Sequence, residues 1–599
     1  MENEEKQQYE EYLESMRHSA SHVLAHAVLK LYPDAKLGIG PAIENGFYYD
    51  FEFSEPIEEG DLKKIEKEMK KIIKRGLPIT QVSMSRKDAI EYYKKTEQTY
   101  KLELMEDIEG DELSFYITGE NEFADLCRGP HVPTTKDIGA VKLTKTAGAY
   151  WRGDETKKML TRIYGTAFDT ENELNTFLKN QEELENRNHR KIGKQLELFA
   201  IITEIGQGLP VWLPRGYTMR RILEDYVIRL ERDYGYQHIL TPHINREVLF
   251  ETSGHLGFYK DSMYPPMVVD DEVYYLKPMN CPAGMMVYNL EPKSYRDLPY
   301  KLGEFGTVYR YEKSGELQGL QRVRGFTQND AHIFCTPEQL EASIHEVLDM
   351  FHIFYKDVGF LKYKFRLSLS DKEANPKKYA GDPERWKIAE DTLRRVLTDR
   401  EAEFEEMPGD AAFYGPKIDV QAVNVFGKED SVSTVQLDFN LPQRFNIKYI
   451  DDEGVEQEPF VIHRAIIGSF ERFFAFLIET HGGDFPLWFT PEQVYVIPIS
   501  DKHHEYAQSV YEDFKNADLR VKLDARTKSM QSRIRDAEKM KIPYIVVVGD
   551  KEIETETISV RSRKNKSEGL MKVQEFIDSL KEEIRTKEPF TPLEEEDSN

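Results

Sequence analysis

The densest run of reactive side chains lies between Gly303 and Cys335, GEFGTVYRYEKSGELQGLQRVRGFTQNDAHIFC. It reads as a strand, a polar loop with two glycines, and a returning strand. Period-2 alternation sets Arg310 opposite Tyr309 and Tyr311, and aligns Arg322, Arg324, Phe326, Gln328, Asp330 and His332 along one side of the return. Two arginines, a ring, an amide, an acid and an imidazole on one strand face do not make a core, because each buried polar group needs a partner. They make the floor of a site.

Two sets of metal-ligating side chains accompany it. Cys281 in LKPMNCPAGM, His332, and His463 in VIHRAIIGSFERF supply one thiolate and two imidazoles, three ligands with a fourth position free. Their separations are too long for a zinc finger, so spacing alone leaves that reading open. Near the N-terminus, a helix predicted from about Arg17 to Leu31 places His18 and His22 one turn apart, with His26 continuing the face. Downstream, DLCRGPH adds Asp125, Cys127 and His131 around the turn formers Gly129 and Pro130. By ligand type, HSASH plus CRGPH is a second zinc site.

Composition narrows the setting. With 599 residues, 40% of them hydrophobic, the chain can bury several cores, which suggests about three to five domains. The acidic start MENEEKQQYEEYLE is no secretory signal and no apolar run approaches membrane-spanning length, so the chain reads as cytoplasmic and without a membrane partner. Three scattered cysteines make no disulfide framework and direct attention to thiolate chemistry. A net charge of −26 argues against broad nonspecific nucleic-acid binding, yet leaves room for a local basic surface.

The elements that position these residues follow in order. A helix from Asp61 to Arg75, capped by Asp61 and closed by Gly76, turns Ile65, Met69, Ile72 and Ile73 to one face as scaffold. Polar, helix-forming sequence from Glu171 to Leu196 suits a linker, with HRKIGKQLELF as the handover. A helix is expected from about Thr218 to Tyr234, followed by a strand containing Pro242, which suits an edge. After HGGDFPLW, strands VYVIPIS and YIVVVG alternate with helices, an α/β pattern with Arg526, Arg533, Arg535, Lys541, Arg561, Arg563 and Lys564 making it locally basic. The tail EEEDS reads as disordered.

The arginine, spacer and glutamate of Arg310 and Glu312, with the loop and returning strand, resemble motif 2 of the class II aminoacyl-tRNA synthetases, and RVRGFTQNDAHIFC is similar to the threonyl-tRNA synthetases in particular. The Pro242 strand with its preceding helix resembles motif 1, a dimer-forming element. GSFERF, with Arg472, resembles motif 3, whose arginine binds the far phosphate of a bent ATP; arginine, always charged and forked, suits that task.

The resemblance implies an α+β multidomain protein with a class II antiparallel-sheet catalytic core, an α+β editing domain and a C-terminal α/β anticodon-binding domain. The expected bounds are editing domain 1–168, linker 169–196, core 197–486, anticodon-binding domain 487–588 and acidic tail 589–599. The implied activity is ATP-dependent threonine-tRNA ligation by a homodimer acting on L-threonine, ATP and threonine tRNA, with magnesium on ATP. By the same resemblance Cys281, His332 and His463 hold one zinc per chain; Arg310, Glu312, Arg322, Phe326, Gln436 and Arg472 bind ATP; Asp330, Tyr414, Gln328 and Lys417 hold the substrate; and Arg310, Arg472, Lys417 and Gln328 carry catalysis. His18, His22, Lys101, Asp125, Cys127 and His131 match a hydrolytic editing pocket that generally works without a metal, leaving zinc there as the alternative. TKTAGAYWRGD also matches that domain, with no role read from its residues. Lys541, Glu552 and Arg561 are implied to contact the anticodon.

Departures from the pattern are specific. With HSASH beginning at residue 18, the family's small extra N-terminal domain is expected to be missing; Gly284 stands where a histidine is usual, Ser431 where a glutamine is, and Thr527 where an asparagine often meets the anticodon. A catalytically silent, synthetase-like RNA-binding regulator is the competing reading, but it should have lost Arg310, Arg322 and Arg472. A stand-alone hydrolase would need neither the Cys281 triad nor GSFERF.

Overall fold

The computed structural model describes residues 2–587 apart from 155, 361, 372–377, 380, 381, 426, 428 and 564–566. The expected acidic tail and Lys564 lie outside the described residues. The chain divides into two compact units, Met1–Glu183 and Leu184–Asn599.

In the first unit, one long helix, Glu2–Leu31, starts well before the expected Arg17. Its Ala20, Val23, Leu24, Ala27 and Val28 are fully buried, so the backbone lies close over a sheet that contributes Phe47, Tyr49, Phe51 and Ile163. That sheet runs in the order Lys36–Leu37, Gly46–Glu52, Met159–Phe168, Ala140–Tyr150. The scaffold helix, Glu59–Arg75, buries Ile65, Met69 and Ile72 as expected. Its cap differs: Glu58 is the N-cap and Asp61 accepts that residue's N–H from the third helical position, the reciprocal half of a capping box. Gly76 closes it in the left-handed conformation. A second sheet, Ile79–Ser85, Glu112–Thr118 and Phe123–Leu126, carries Asp125 on its last strand.

The second unit is built on an eight-stranded sheet in the order Gln237–His238, Tyr300–Tyr309, Gly325–Cys335, Phe460–Ser469, Glu429–Asp438, Lys417–Val423, Tyr363–Leu369, Phe404–Pro408. It is antiparallel except for the first and last pairs. Helices Leu340–Asp357, Pro383–Asp399 and Phe470–His481 bury one face in a large apolar core. The other face is left for polar side chains. Pro242 lies between two short strands, Gln237–His238 and Ile244–Arg246, and belongs to neither; the latter pairs with Glu272–Leu276. A proline without an N–H suits the break between them.

Toward the C-terminus a separate sheet, ordered Val521–Leu523, Val494–Pro498, Tyr544–Val548, Ile558–Ser562, Gly569–Met571, has parallel pairs on its first side and antiparallel on its second. Helices His504–Asn516 and Val573–Thr586 cover one face and Met530–Lys539 the other.

Candidate functional site

Strand register assembles the main site. His332 pairs with His463, His463 with Gln436, and Gln436 with Lys417, so four residues spread over 132 positions of sequence form one row across four neighbouring strands. On the returning strand, alternation carries Phe326, Gln328, Asp330 and His332 along the same face. Arg322 and Arg324 precede this strand, which begins at Gly325, so their expected strand alternation does not hold. Arg322 reaches the site from the loop, paired to Glu312 and Glu316 at 2.9 Å. Arg324 turns away: it donates to the carbonyls of Glu312 and Gln207 and to Ser314, because the loop folds back and offers it those acceptors.

A cavity of about 310 Å³ is lined by Arg310, Glu312, Arg322, Phe326, Gln328, Lys417, Gln436 and Arg472. The Arg310 guanidinium lies over the Phe326 ring, 5.0 Å from its centre. Burial lowers the Arg472 pKa, Asp430 opposes, and Arg310 and Arg322 push the same way as burial. Three guanidinium groups around one partly enclosed cavity make a site for a polyanion. Lys417 is held by Asp419 and, at 3.4 Å, by Asp410. Ser431 lines the same cavity and accepts from Gln421 Nε2 at 2.7 Å, so an amide on the adjacent strand stands beside the departure.

Beside the cavity, Cys281 opens the helix Cys281–Tyr288 and comes together with His332 and His463; their ligand atoms lie within 4.8 Å of one another and all three residues are buried. His332 Nε2 is buried without a hydrogen-bond partner. Burial holds the His332 imidazole neutral, with its pKa down at about 4, and raises the Cys281 thiol well above its ordinary range, with Asp330 and Asp438 adding to the rise. A lone thiolate is thus unfavourable there, whereas a thiolate bound to a divalent cation is not. His463 presents Nε2 to Asp438 Oδ2 at 2.9 Å, the carboxylate brace typical of metal-bound imidazole. The donor set, the unsatisfied nitrogen and the brace fit a zinc ion. Tyr414 donates to Gln436 Oε1 at 3.0 Å, and Asn280 to Asp330 Oδ2 at 3.3 Å, placing both substrate candidates next to the cluster. Gly284 also lies here: a Cβ at that position would stand 3.2 Å from His332 Nδ1. Asp438 and Asn280 were missed in sequence, although Asn280 sits within the quoted LKPMNCPAGM.

The first unit holds its own cluster. Cys127 Sγ lies 3.4 Å from His18 Nε2 and 3.2 Å from His131 Nε2, and Ser19 Oγ lies 3.0 Å from His131 Nδ1. The His22 ring packs on both His18 and His131. Behind them Asp125, 1% exposed, takes Lys101 Nζ at 2.6 Å and the hydroxyls of Tyr49 and Tyr93 at 2.5 and 3.3 Å. Burial depresses the pKa of His18, His22 and His131 and raises that of Cys127, so imidazoles and thiol are neutral at pH 7. Neutral imidazoles beside a thiol can accept hydrogen bonds from water and orient it. His26 stands apart, stacked on Phe123. Tyr49 and Tyr93 were not legible as site residues, since only the fold brings them there, while Ser19 lies within HSASH but was not singled out. Trp151, from the unassigned TKTAGAYWRGD, is buried against Tyr100 and donates to Glu103, a packing role.

The C-terminal basic residues divide. Arg533 and Arg563 are structural: Arg533, 4% exposed, donates to the carbonyls of Asp524 and Pro498, and Arg563 to that of Phe485. Lys541 pairs with Asp484 at 2.9 Å, Glu552 accepts the N–H of Gly549, and Arg561 is half-buried on the strand Ile558–Ser562. Thr527 is exposed in a turn.

Residues 267–481 match the tRNA synthetase class II core domain (G, H, P, S and T), residues 493–583 an anticodon binding domain, and residues 113–164 the threonyl and alanyl tRNA synthetase second additional domain. The threonine–tRNA ligase of Geobacillus sp. (strain WCH70) is 48% identical over 96% of this chain and 89% of its own length, and that of Aquifex aeolicus (strain VF5) 47% over 96% and 90%. Among solved structures, the RNA binding domain of threonyl-tRNA synthetase from Cryptosporidium parvum Iowa II is 36% identical with a TM-score of 0.63, covering 66% of this chain and 98% of that one. With ligases of this kind matched over 96% of this chain at nearly half identity, and with a second additional domain, a class II core and an anticodon binding domain matched along it, the chain belongs to the threonine–tRNA ligase family.

Proposed function

We propose that the arginine-lined cavity and the Cys281 cluster together activate threonine with ATP and transfer it to threonine tRNA. The observation that carries this reading is their adjacency on one sheet face, through the row His332, His463, Gln436, Lys417. Phe326 and Arg310 sandwich the adenine and α-phosphate end, Arg472 takes the far phosphate, and Glu312 and Arg322 frame the loop side. Magnesium bound with ATP would offset the charge of its phosphates. Asp330 and Tyr414 hold the threonine amino group, and Gln328, Lys417 and Gln436 line its pocket. The threonine carboxylate attacks the α-phosphorus, pyrophosphate leaves, and a terminal ribose hydroxyl of the tRNA then attacks the aminoacyl carbonyl and releases AMP. Positioning and charge stabilisation supply the rate. Zinc held by Cys281, His332 and His463 would supply a Lewis-acid site for the amino and hydroxyl groups of threonine.

That chemistry would reject valine for want of a hydroxyl, but serine differs by one methyl, worth only about 1–3 kcal/mol, so a second site must remove it. The His18, His22, Lys101, Asp125, Cys127 and His131 pocket is proposed to hydrolyse seryl-tRNA. Domain bounds of 1–168, 169–196, 197–486 and 487–588, a cytoplasmic location, and anticodon contact by Lys541, Glu552 and Arg561 complete the reading. A homodimer is supported by the exposed apolar side chains of Leu240, Ile244, Val268 and Val269 near the short sheet after Pro242. Retention of Arg310, Arg322 and Arg472 speaks against a silent regulator. Threonine-dependent ATP–pyrophosphate exchange tests the reading; purified protein that charges threonine tRNA with nothing, yet binds it, sinks it in favour of the regulator.

A further inference from the structure

HRKIGKQLELF marks the handover into the second unit, and nothing in the chemistry above uses it. Its first residue, His189, opens the helix His189–Gln195 and is 2% exposed. Its main-chain N–H donates to Glu479 Oε1 at 3.2 Å, and its Nδ1 lies 2.6 Å from the same oxygen. Its Nε2 lies 3.1 Å from the main-chain N–H of Leu320. That N–H can only donate, so Nε2 is the unprotonated nitrogen and Nδ1 carries the proton given to Glu479. One imidazole therefore uses both nitrogens, one on each of two elements that also carry residues lining the cavity. Glu479 lies on the helix Phe470–His481 that also carries Arg472. Leu320 lies in the loop that carries Gln321 and Arg322. The loop backbone packs directly on the ring: Gly319 has φ +51°, and a Cβ there would stand 2.2 Å from His189 Nε2.

Loop and helix meet a second time, where Arg472 Nε donates to the carbonyl of Gln321 at 3.2 Å; both residues line the cavity. A phosphate that draws Arg472 competes with that carbonyl, whereas the hydrogen bonds of His189 to Leu320 and Glu479 do not depend on Arg472. We propose that His189 is a positioning residue for ATP, holding the turn from Gly319 to Arg322 against the Arg472 helix so that Gln321, Arg322 and Arg472 face the phosphates together. The proposal rests on the ATP reading of this cavity.

His189→Asn and His189→Gln separate its two bonds. An asparagine amide stands near the place of Nδ1, keeps a donor for Glu479 and leaves the buried Leu320 N–H without an acceptor; a glutamine oxygen stands near the place of Nε2 and keeps that acceptor. In threonine-dependent ATP–pyrophosphate exchange, His189→Asn should raise the KM for ATP by about tenfold or more while the KM for threonine stays that of the wild type. His189→Gln should restore most of the loss, and Gly319→Ala, which pushes the loop off the ring, should reproduce it. Amide hydrogen exchange of the peptide around residues 316–323 reads the contact without activity: protection should fall in His189→Asn and Gly319→Ala and hold in His189→Gln. An unchanged KM for ATP in His189→Asn overturns the proposal. So does an equal loss in His189→Asn and His189→Gln that tracks a common fall in thermal unfolding temperature, since that marks a purely structural residue. If the wild type shows no exchange reaction, the ATP reading fails on its own, and equal loop protection in all four proteins still overturns the grip assigned to His189.

Discussion

The two cysteine–histidine clusters use the same ligand types in opposite surroundings. In the second unit Cys281, His332 and His463 are all buried and come from three elements, and the charges felt by Cys281 include Asp330 and Asp438. In the first unit Cys127, His18 and His131 touch one another, and Asp125, the carboxylate behind them, already holds the Lys101 ammonium at 2.6 Å. Burial first, and the Lys101 ammonium in addition, depress the pKa of His18 and His22, so a fixed cation already occupies the field that a metal would need. Each cluster has a buried imidazole nitrogen without a partner, His332 Nε2 and His22 Nδ1, so the unsatisfied nitrogen alone does not separate them. What separates them is whether the neighbouring acid is free to compensate a divalent charge. Ligand type proposes a metal; net local charge decides it.

The largest expected effect follows from the second-unit cluster. Purified protein should carry about one zinc per chain, and Cys281→Ala should lose both the zinc and threonine activation, because two imidazoles do not make the three-ligand site. Full-rate activation by metal-free protein breaks the comparison at once. Next, Arg310→Ala and Arg472→Ala should each lower exchange by about 10²–10³-fold with zinc content unchanged, as expected when charge stabilisation in an enclosed site is lost. Near-normal exchange in either variant removes that arginine from the reaction.

Asp438→Asn sharpens the electrostatic part. It keeps the shape of the His463 brace but removes its charge, and should weaken zinc affinity by about 10–100-fold, read by competition with a chromogenic chelator. In the first unit the same chelator should leave deacylation of preformed seryl-tRNA untouched, while His18→Ala and Cys127→Ala each slow it. Chelator sensitivity there would make both clusters metal sites and erase the contrast.

The smallest effect is on stability in acid. His26, next along the helix from His18 and His22, is held by burial at a pKa of about 4, below its unfolded value near 6.5. The unfolded chain therefore binds the extra proton more readily, so the contribution of His26 is fully favourable above about pH 6.5 and is lost as pH falls toward 4. The depressed values of His18, His22 and His131 act in the same direction. Thermal unfolding followed from pH 7 to pH 4 should show a falling midpoint, less steeply in His26→Gln. A midpoint independent of pH, or a slope that His26→Gln leaves unchanged, contradicts it.

How much was legible differs with the range of the contacts. The scaffold helix to Arg75 with its Gly76 stop, the α/β alternation near the C-terminus, and the pairing of His18 with His22 are local periodicities, and they stand where the sequence puts them. The cap of that helix, the placement of Pro242 and the orientation of Arg324 were misjudged, because each depends on which backbone groups lie within reach after folding. Arg533 and Arg563 read as a basic surface, yet they close carbonyls in the interior; a charge in a sequence does not reveal whether its partner is water or protein.

By itself the sequence determined the chemical inventory: the arginines of the cavity, the Cys281 triad, the HSASH and CRGPH pairs, and a resemblance spread over nearly the whole chain. Only the tertiary structure decided which of these groups act together and in what field. Sheet register places His332, His463, Gln436 and Lys417 in one row; Asp438 braces one cluster while Lys101 neutralises the acid behind the other; and His189 is buried between Leu320 and Glu479. The physical reason is that side-chain type and local period are properties of neighbours along the chain, whereas hydrogen-bond partners and local potential belong to neighbours in space, and these become definite only when the strands have paired.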